Sequence, residues 1–279
     1  MDHLLTHEPT IRLSAFLAVL AALVVWEMVR PRRALTLRRW ARWPSNIGIA
    51  ALNTVVVRLL CPTTAVGMAA LASERGWGLL NLSGAPAWLA IPLAVLLLDL
   101  ALYLQHRVFH AVPLLWRLHR MHHADLDFDV TTGVRFHTVE IVLSLLIKLG
   151  VIAILGAPAV AVVMFEVALN ASSMFNHANV RVPAGVEPWL RRLVVTPDMH
   201  RVHHSILPQE TDSNFGFNLP WWDRLLGTYR PQPQAGHEGM TIGIADFRTP
   251  RDLRLDRMLV QPLRATVERH SRKDGAKAA

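Results

Sequence analysis

The chain has 279 residues, of which 52% are hydrophobic and 18% charged. A soluble domain carries about 25% charged residues, so the composition argues against an ordinary soluble enzyme and for a chain that lives in a bilayer. The formal charge of +8 does not argue for nucleic acid, because the basic residues gather in one block, Arg30 to Arg42 (RPRRALTLRRWAR), beside the first apolar run. That is the positive-inside pattern of a cytoplasmic loop able to touch anionic lipid, and no nucleic-acid partner is expected. The single cysteine, Cys61, excludes an intrachain disulfide framework and a thiolate metal site.

Residues 11–29 are long enough to cross a hydrocarbon core of about 30 Å at about 1.5 Å per residue. No positive n-region or small-residue cleavage site precedes them, so they read as an anchor rather than a removable signal. Residues 46–72 predict a second span, interrupted by Asn53 and Arg58. After Pro86, AWLAIPLAVLLLDLALYLQ predicts a third span that delivers the chain to His106. Pro113 ends or kinks that helix, and a new helical segment carries HRMHH. Residues 124–137 (ADLDFDVTTGVRFH) are polar and turn-rich and predict an interfacial segment. The apolar runs on either side of Gly156-Ala157-Pro158, from Thr138 to residue 175, predict a helical hairpin, either a fourth and fifth span or a re-entrant pair. Residues 178–195, with Trp189, Arg191 and Arg192, predict an amphipathic segment on the headgroups. Thr196-Pro197-Asp198 then supplies an N-cap, a proline at the first helical position and an acid in the first turn, so HRVHH opens a further helix. The basic C-terminal stretch is expected to fray at SRKDGAKAA. The fold expected is all-α: a polytopic membrane bundle of about four to five transmembrane or re-entrant helices, with a cytosolic-side helical cap that carries the histidines.

Eight histidines fall in three clusters: His106 and His110; His119, His122 and His123; His200, His203 and His204. At spacings of three and four, imidazoles on a helix project from one face. Packing gains nothing from adjacent imidazoles, and a solvated face is more simply built from Lys or Glu, so the clusters read as a metal site. His3, His7, His237 and His270 stand alone and read as ordinary satisfied or solvated residues. Imidazole suits Fe, Zn, Cu and Ni, and one structural zinc needs four ligands, so eight or more imply two metals or one metal inside a large shell. With loop 30–42 cytoplasmic, the third span runs inward and the hairpin returns His177 and the cluster at 200 to the same face. Asp99, Tyr103, His106 and His110 form one polar stripe, and Glu166, Asn170 and His177 another. The two are expected to face each other and support the ligands. The plainer alternative pairs Asp99 and Glu166 with Arg58 and Lys148.

The three clusters set among apolar spans, together with TTGVRFHTVE at 131–140, FNHANV at 175–180 and TDSNFGFNLPWWDRLLGTY at 211–229, resemble the fatty acid hydroxylase superfamily, also called the sterol desaturase family. The similarity covers roughly residues 85–230, and it divides the chain into an N-terminal transmembrane anchor region (1–84), a catalytic domain (85–230) and a C-terminal cytosolic tail (231–279). The resemblance implies an integral-membrane oxygenase with a di-iron centre that uses O2 to hydroxylate or desaturate an unactivated C–H bond of a lipid drawn from the bilayer. It implies metal ligation by the eight clustered histidines, by His177, and by His137. The last stands in a motif usually read Arg-x-His-Pro-x-Glu, in which Thr138 replaces the proline here. Zinc is the expected adventitious occupant. No GxGxxG turn lies between a strand and a helix, so electrons are expected from a separate reductase or carrier. The expected location is a multi-pass protein with its site on the cytoplasmic side, in the inner membrane if the cell is bacterial. The competing readings are a metal transporter or haem cytochrome without oxygenase chemistry, and a lipid-binding scaffold that has lost activity. Phe215, Phe217, Trp221 and Trp222 are expected either to form a mouth or lid or to anchor the interface.

Overall fold

The computed structural model describes residues 7–61 and 63–265. The segment SRKDGAKAA, His3 and His270 lie outside the described residues. Among those described, all regular structure is helical, with two isolated β-bridges, Pro31 to Val180 and Ser205 to Ile242. The principal helices are α1 (Glu8–Val29), α2 (Trp43–Leu60), α3 (Ala65–Arg75), α4 (Ala87–Ala111), α5 (Pro113–His123), α6 (Thr138–Leu155), α7 (Ala159–His177), α8 (Glu187–Leu193) and α9 (Pro197–His203). Five stretches are long and apolar enough to cross a membrane: Glu8–Val29, Trp43–Leu82, Ala87–Ala111, Thr138–Leu155 and Ala159–His177. In hydrocarbon each backbone N–H and C=O needs an internal partner, which a continuous helix supplies. The chain is a multi-pass membrane protein.

The second expected span differs in form. Helix α2 stops at Leu60, because Cys61 precedes a proline and takes an extended conformation (φ −113°, ψ 104°). Helix α3 then starts afresh where the Thr64 hydroxyl accepts the Gly67 N–H at 3.0 Å.

Without a hydrophobic effect between helices in lipid, close approach depends on small side chains. Ala65, Ala69 and Ala72 on α3, Ala90 and Ala94 on α4, and Ala161 on α7 are all buried, and Leu98, Ile152, Val162 and Phe165 fill the space between them. The turn from α6 to α7 is a left-handed glycine, Gly156 (φ +65°), where a Cβ would stand 2.5 Å from the Trp77 carbonyl oxygen. Helix α1 lies along α7, with Leu23 against Met174, Ala178 and Val180.

The C-terminal ends of α1, α4 and α7 and the N-terminal ends of α2 and α6 meet at one end of the bundle. There the buried Glu27 of α1 accepts the Val130 and Asn179 N–H groups, each at 2.7 Å. Arg42, just before α2, makes a bidentate pair with Asp125 (2.7 Å to each oxygen) and reaches Asp129 at 2.6 Å. Arg135 donates to Asn46 and to the Met121 carbonyl. Segment 124–137, expected at an interface, is therefore buried almost throughout, and Arg42 itself is 0% exposed. Its aspartates are polar because they pair with buried cations, a distinction that polarity along a sequence does not carry. The described part of the expected tail is likewise stitched to the cap: Arg120 donates to the Gln261 and Arg264 carbonyls, and Met258 packs on Ile49 and Met121. In α8, Arg191 pairs with Glu187 while Trp189 and Leu193 stay exposed, as an amphipathic segment requires.

The histidine ends of the two polar stripes converge, but their acids take other partners. Glu166 pairs with Lys148 (2.5 Å) and Arg12 (3.0 Å), so the plainer alternative holds for it. Asp99 follows neither expectation. It accepts from Asn218 Nδ2 and Trp222 Nε1, each at 2.8 Å, and from Leu219 N at 3.3 Å.

Candidate metal centre

Helix α4 carries His106 and His110 one turn apart and ends at Ala111, because Pro113 opens α5 instead of continuing it. Helix α5 carries His119, His122 and His123. Helix α9 starts at the predicted cap, with the Thr196 hydroxyl accepting the Met199 N–H and Pro197 at the first position, and carries His200, His203 and His204 at its end. The last residue of α7 is His177. These four helix segments bring nine imidazoles together, each between 0% and 4% exposed.

The nine divide into two sets, within each of which the ligating atoms lie within 4.8 Å of one another. The first is His106, His110, His119, His123 and His203, and the second is His122, His177, His200 and His204. Each HxxHH motif serves both sets in crossed fashion. Helix α5 gives its i and i+4 rings to the first set and its i+3 ring to the second, and α9 does the reverse. The sets touch, with His123 stacked on His204 at 4.5 Å between ring centroids and His200 on His203 at 5.0 Å.

Six of the rings have Nδ1 engaged by a fixed acceptor. His106 donates to the Phe215 carbonyl (2.7 Å), His122 to Arg135 (3.1 Å), His177 to Ser173 (2.6 Å) and His203 to Ser213 (2.7 Å). His119 donates to Glu140 Oε1 at 2.6 Å and His110 to Asp212 Oδ1 at 3.2 Å. A carbonyl only accepts, so the proton sits on Nδ1 and Nε2 carries a lone pair. Burial, reinforced by neighbouring imidazoles, holds His122, His123, His200 and His204 well below the usual histidine range and pushes His203 down to about 3. These rings are neutral at physiological pH, the state that binds metal.

The ε-nitrogens test the fit of a metal. Those of His106 and His119 stand 3.1 Å apart, as do those of His122 and His177. With both δ-nitrogens protonated, each contact sets two lone pairs against each other, which no hydrogen bond explains. A common cation does, since two nitrogens at this separation both reach an ion at a metal–nitrogen distance of about 2.1 Å. His203 Nε2 and both nitrogens of His204 are buried without a hydrogen-bond partner among the described residues. The donor set fits two ions.

Of the ten histidines expected as ligands, His137 stands apart. It is the N-cap of α6, its Nδ1 accepting the Val139 N–H at 3.2 Å, and its Nε2 faces the Leu259 carbonyl at 3.2 Å. The Arg-x-His-x-x-Glu stretch instead reaches the site through its ends: the Arg135 carbonyl holds His122 and the Glu140 carboxylate holds His119. Gly133 permits this approach, because a Cβ there would stand 2.4 Å from the Ser173 oxygen. His237, expected at the surface, is buried beside Asp198 at 3.6 Å and lies outside both sets, while His7 is exposed.

The sequence reading missed Glu140, Asp212 and the role of the stretch 211–229. That stretch is a wall of the site, with carbonyls or side chains from Asp212, Ser213 and Phe215 holding three histidines of the first set. Phe215 and Phe217 pack on His106 at 5.5 and 5.3 Å between centroids. Phe136 stacks on His122 at 4.3 Å. The stripe on α4 grips the same stretch, through Asp99 as above and through Tyr103, whose hydroxyl meets Thr228 Oγ1 at 2.8 Å. The available signal was the rule that a metal-bound imidazole hands its other N–H to a carboxylate or carbonyl, applied to the acids within TTGVRFHTVE and TDSNFGF.

Fold and site together define a polytopic membrane protein with a buried polyhistidine centre. Residues 91–228 match the fatty acid hydroxylase family, and the chain carries a domain of that family. It is 30% identical over 162 residues to the ornithine lipid hydroxylase OlsE of Rhizobium tropici, covering 57% of this chain and 48% of that protein. It is 30% identical over 149 residues to the alkylglycerol monooxygenase of Xenopus tropicalis (53% of this chain, 32% of that protein) and 29% identical over 154 residues to the human enzyme (55% and 34%). The chain spans about a third to a half of the length of these relatives. No solved structure matches it.

Proposed function

We propose that this protein is a membrane-bound lipid hydroxylase with two irons, held by His106, His110, His119, His123 and His203 on one side and His122, His177, His200 and His204 on the other. The observation that carries the reading is the pair of ε-nitrogen contacts at 3.1 Å between rings whose δ-protons are already committed. The family domain and the names of the relatives support the substrate class, a lipid.

An aliphatic C–H bond offers neither an acidic proton nor an electrophilic carbon, so acid–base groups have no purchase on it. The irons supply the redox chemistry, in which R–H, O2, two electrons and two protons give R–OH and water. The protein's own residues hold and orient. Glu140, Asp212 and the carbonyls of Arg135, Ser173, Ser213 and Phe215 fix the imidazole tautomers and aim the ε-nitrogens inward. Phe136, Phe215 and Phe217 line the centre and keep water from it. Asp99 and Tyr103 keep the stretch 211–229 pressed on the rings. The crowding of arginines 30, 32, 33, 38, 39 and 42 at this end supports a cytoplasmic orientation. A separate electron carrier delivers the two electrons from that side.

Iron analysis of the purified protein tests the reading. About two irons per chain, no Soret band and a lipid product one oxygen heavier than its precursor are expected. Loss of that product on replacing His119 or His203 with alanine, with membrane insertion retained, completes the expectation. Turnover that survives both changes, or a haem spectrum, overturns it.

A further inference from the structure

The stretch 211–229 holds His106, His110 and His203 from one side and is tied to α8 on the other. Trp221 Nε1, in the short helix Trp221–Leu225, donates to the Arg192 carbonyl at 2.7 Å, and Arg224 donates to the Arg191 carbonyl at 3.2 Å. Arg191 donates in return to the Tyr229 hydroxyl (3.1 Å) and the Pro231 carbonyl (3.0 Å), and the Val195 N–H reaches the Asn218 carbonyl at 3.0 Å. Helices of seven and five residues are each too short to hold themselves. Joined in this way, they make one plate.

The outer surface of the plate is sorted by chemistry. Trp189, Leu193 and Leu225 are between 61% and 73% exposed, and Trp221 and Leu226 are exposed with them. Both acids of the two helices turn inward: Glu187 accepts from Arg191 at 2.6 Å and from the Thr196 hydroxyl at 2.9 Å, and the buried Asp223 accepts the Phe215 and Gly216 N–H groups, each at 2.8 Å. The exposed charges of these helices are Arg192 and Arg224, which lie over the rings of Trp189 at 4.5 Å and Tyr229 at 4.0 Å. Apolar chains and aromatic rings flanked by cations, with the anions withdrawn, suit a negatively charged lipid surface.

The position of the plate agrees with its chemistry. Trp222 Nε1 and Asn218 Nδ2 donate to Asp99, which stands midway along α4, a helix long and apolar enough to span the membrane. The plate therefore lies against the flank of a span rather than above its end. There a bilayer is the neighbour already at hand, and exposed tryptophans are what its boundary attracts. An acidic soluble protein would be met by charge, whereas this surface sets five apolar side chains against two cations.

We propose that α8 and the helix Trp221–Leu225 form a plate seated in the anionic lipid interface at the metal end of the bundle, and that this seating presses the stretch 211–229 onto the histidines. The apolar side chains enter the leaflet, while Arg192 and Arg224 stay at the headgroups and meet lipid phosphates. The bilayer then completes the packing behind the Phe215 and Ser213 carbonyls that hold His106 and His203. The coupling to the histidines rests on the metal reading given above, whereas the seating stands on the plate alone.

The test uses the full chain in vesicles, with the single native cysteine removed (Cys61→Ser) and a bimane fluorophore placed by Leu193→Cys or Leu225→Cys. Quenchers are phosphatidylglycerol or phosphatidylcholine carrying a nitroxide on the acyl chain near the headgroup, and iodide in the water. Both labels are expected to be quenched by the lipids and spared by iodide. Phosphatidylglycerol is expected to be the better quencher at equal mole fraction, by about fivefold for each arginine. Arg192→Gln, which leaves every hydrogen bond of the plate in place, is expected to lower that preference by about the same factor. Quenching by iodide without quenching by lipid overturns the seating. Quenching by neither means that protein covers the plate, a second copy or a soluble partner, and overturns it as well. Equal quenching by the two lipids, or a preference unchanged in Arg192→Gln protein, overturns the anionic assignment. The coupling is read separately, as iron retained against chelator in vesicles: with Leu193→Asp and Leu225→Asp together, iron is expected to leave at about tenfold lower chelator. Retention that is unchanged in this variant overturns the coupling and spares the seating, which is judged by quenching alone.

Discussion

Replacing Glu140 with alanine removes the carboxylate that accepts the His119 Nδ1 proton at 2.6 Å in a buried setting. His119 is the hub of the first set, its Nε2 standing 3.1 Å from that of His106 and 3.2 Å from that of His123. A ring freed of its acceptor can turn and take the wrong tautomer, which draws the central donor of three away from the ion. Loss of such a partner costs about 10- to 100-fold in metal affinity, or about 1.4–2.7 kcal/mol. Glu140→Gln keeps an acceptor of the same reach without the charge, so its cost belongs near the lower bound. The hydrogen bonds from His122 to the Arg135 carbonyl and from His177 to the Ser173 carbonyl in the second set do not involve Glu140, so the loss is expected to be lopsided. Iron retained per chain is measured against increasing chelator. The alanine variant is expected to release one ion at a concentration that leaves both in the unaltered protein, and to hold the second nearly as well. Simultaneous loss of both ions, or a retention curve identical to that of the unaltered protein, refutes the claim that this carboxylate orients one half of the centre.

Arg42→Met leaves the buried Asp125 and Asp129 unpaired, and about 3–5 kcal/mol of destabilisation follows. The expected result is a sharp loss of folded, detergent-extractable protein, and a normal yield argues against the pairing. Asp99→Ala leaves Asn218, Leu219 and Trp222 without their acceptor, at about 1–3 kcal/mol for each donor that stays buried. A lower thermal midpoint together with easier metal loss is expected, because the same stretch holds His106, His110 and His203. An unchanged metal-release curve argues against this coupling. Burial works against ionisation of Asp125, but Arg42 overrides it and lowers the carboxyl to about 2. That lies below an unfolded value of about 3.9, so the pair stabilises the fold above about pH 4, and the contribution fades as pH falls through about 2. Acid titration of tryptophan fluorescence is expected to show the Asp125→Asn protein already destabilised at pH 7 and insensitive to this window. A variant curve parallel to that of the unaltered protein refutes the assignment.

Several features were legible before any coordinates because they depend on residues close in the chain. Histidines three and four apart on a helix share a face wherever the helix goes. The caps at Pro113 and Thr196, and the left-handed turn at Gly156, follow from local backbone chemistry. The apolar runs are long enough to span a bilayer by their length alone. His137 shows the limit of the same reasoning, for a motif match placed it among the ligands while the backbone uses it as a helix cap, with both nitrogens engaged.

Alone, the sequence determined that this chain crosses a membrane several times and brings a histidine-rich centre to one end, since hydrophobic length and helical periodicity are short-range properties. Tertiary structure alone decided how α5 and α9 split their rings between two sets, and that Asp99 serves the stretch 211–229 rather than α7. It also decided that segment 124–137 is buried belt rather than interface. Each of these depends on which distant charge or carbonyl arrives opposite a given side chain. Arg42 and Asp125 are 83 positions apart, as are Asp99 and Asn218 by 119, and no local pattern encodes such a meeting.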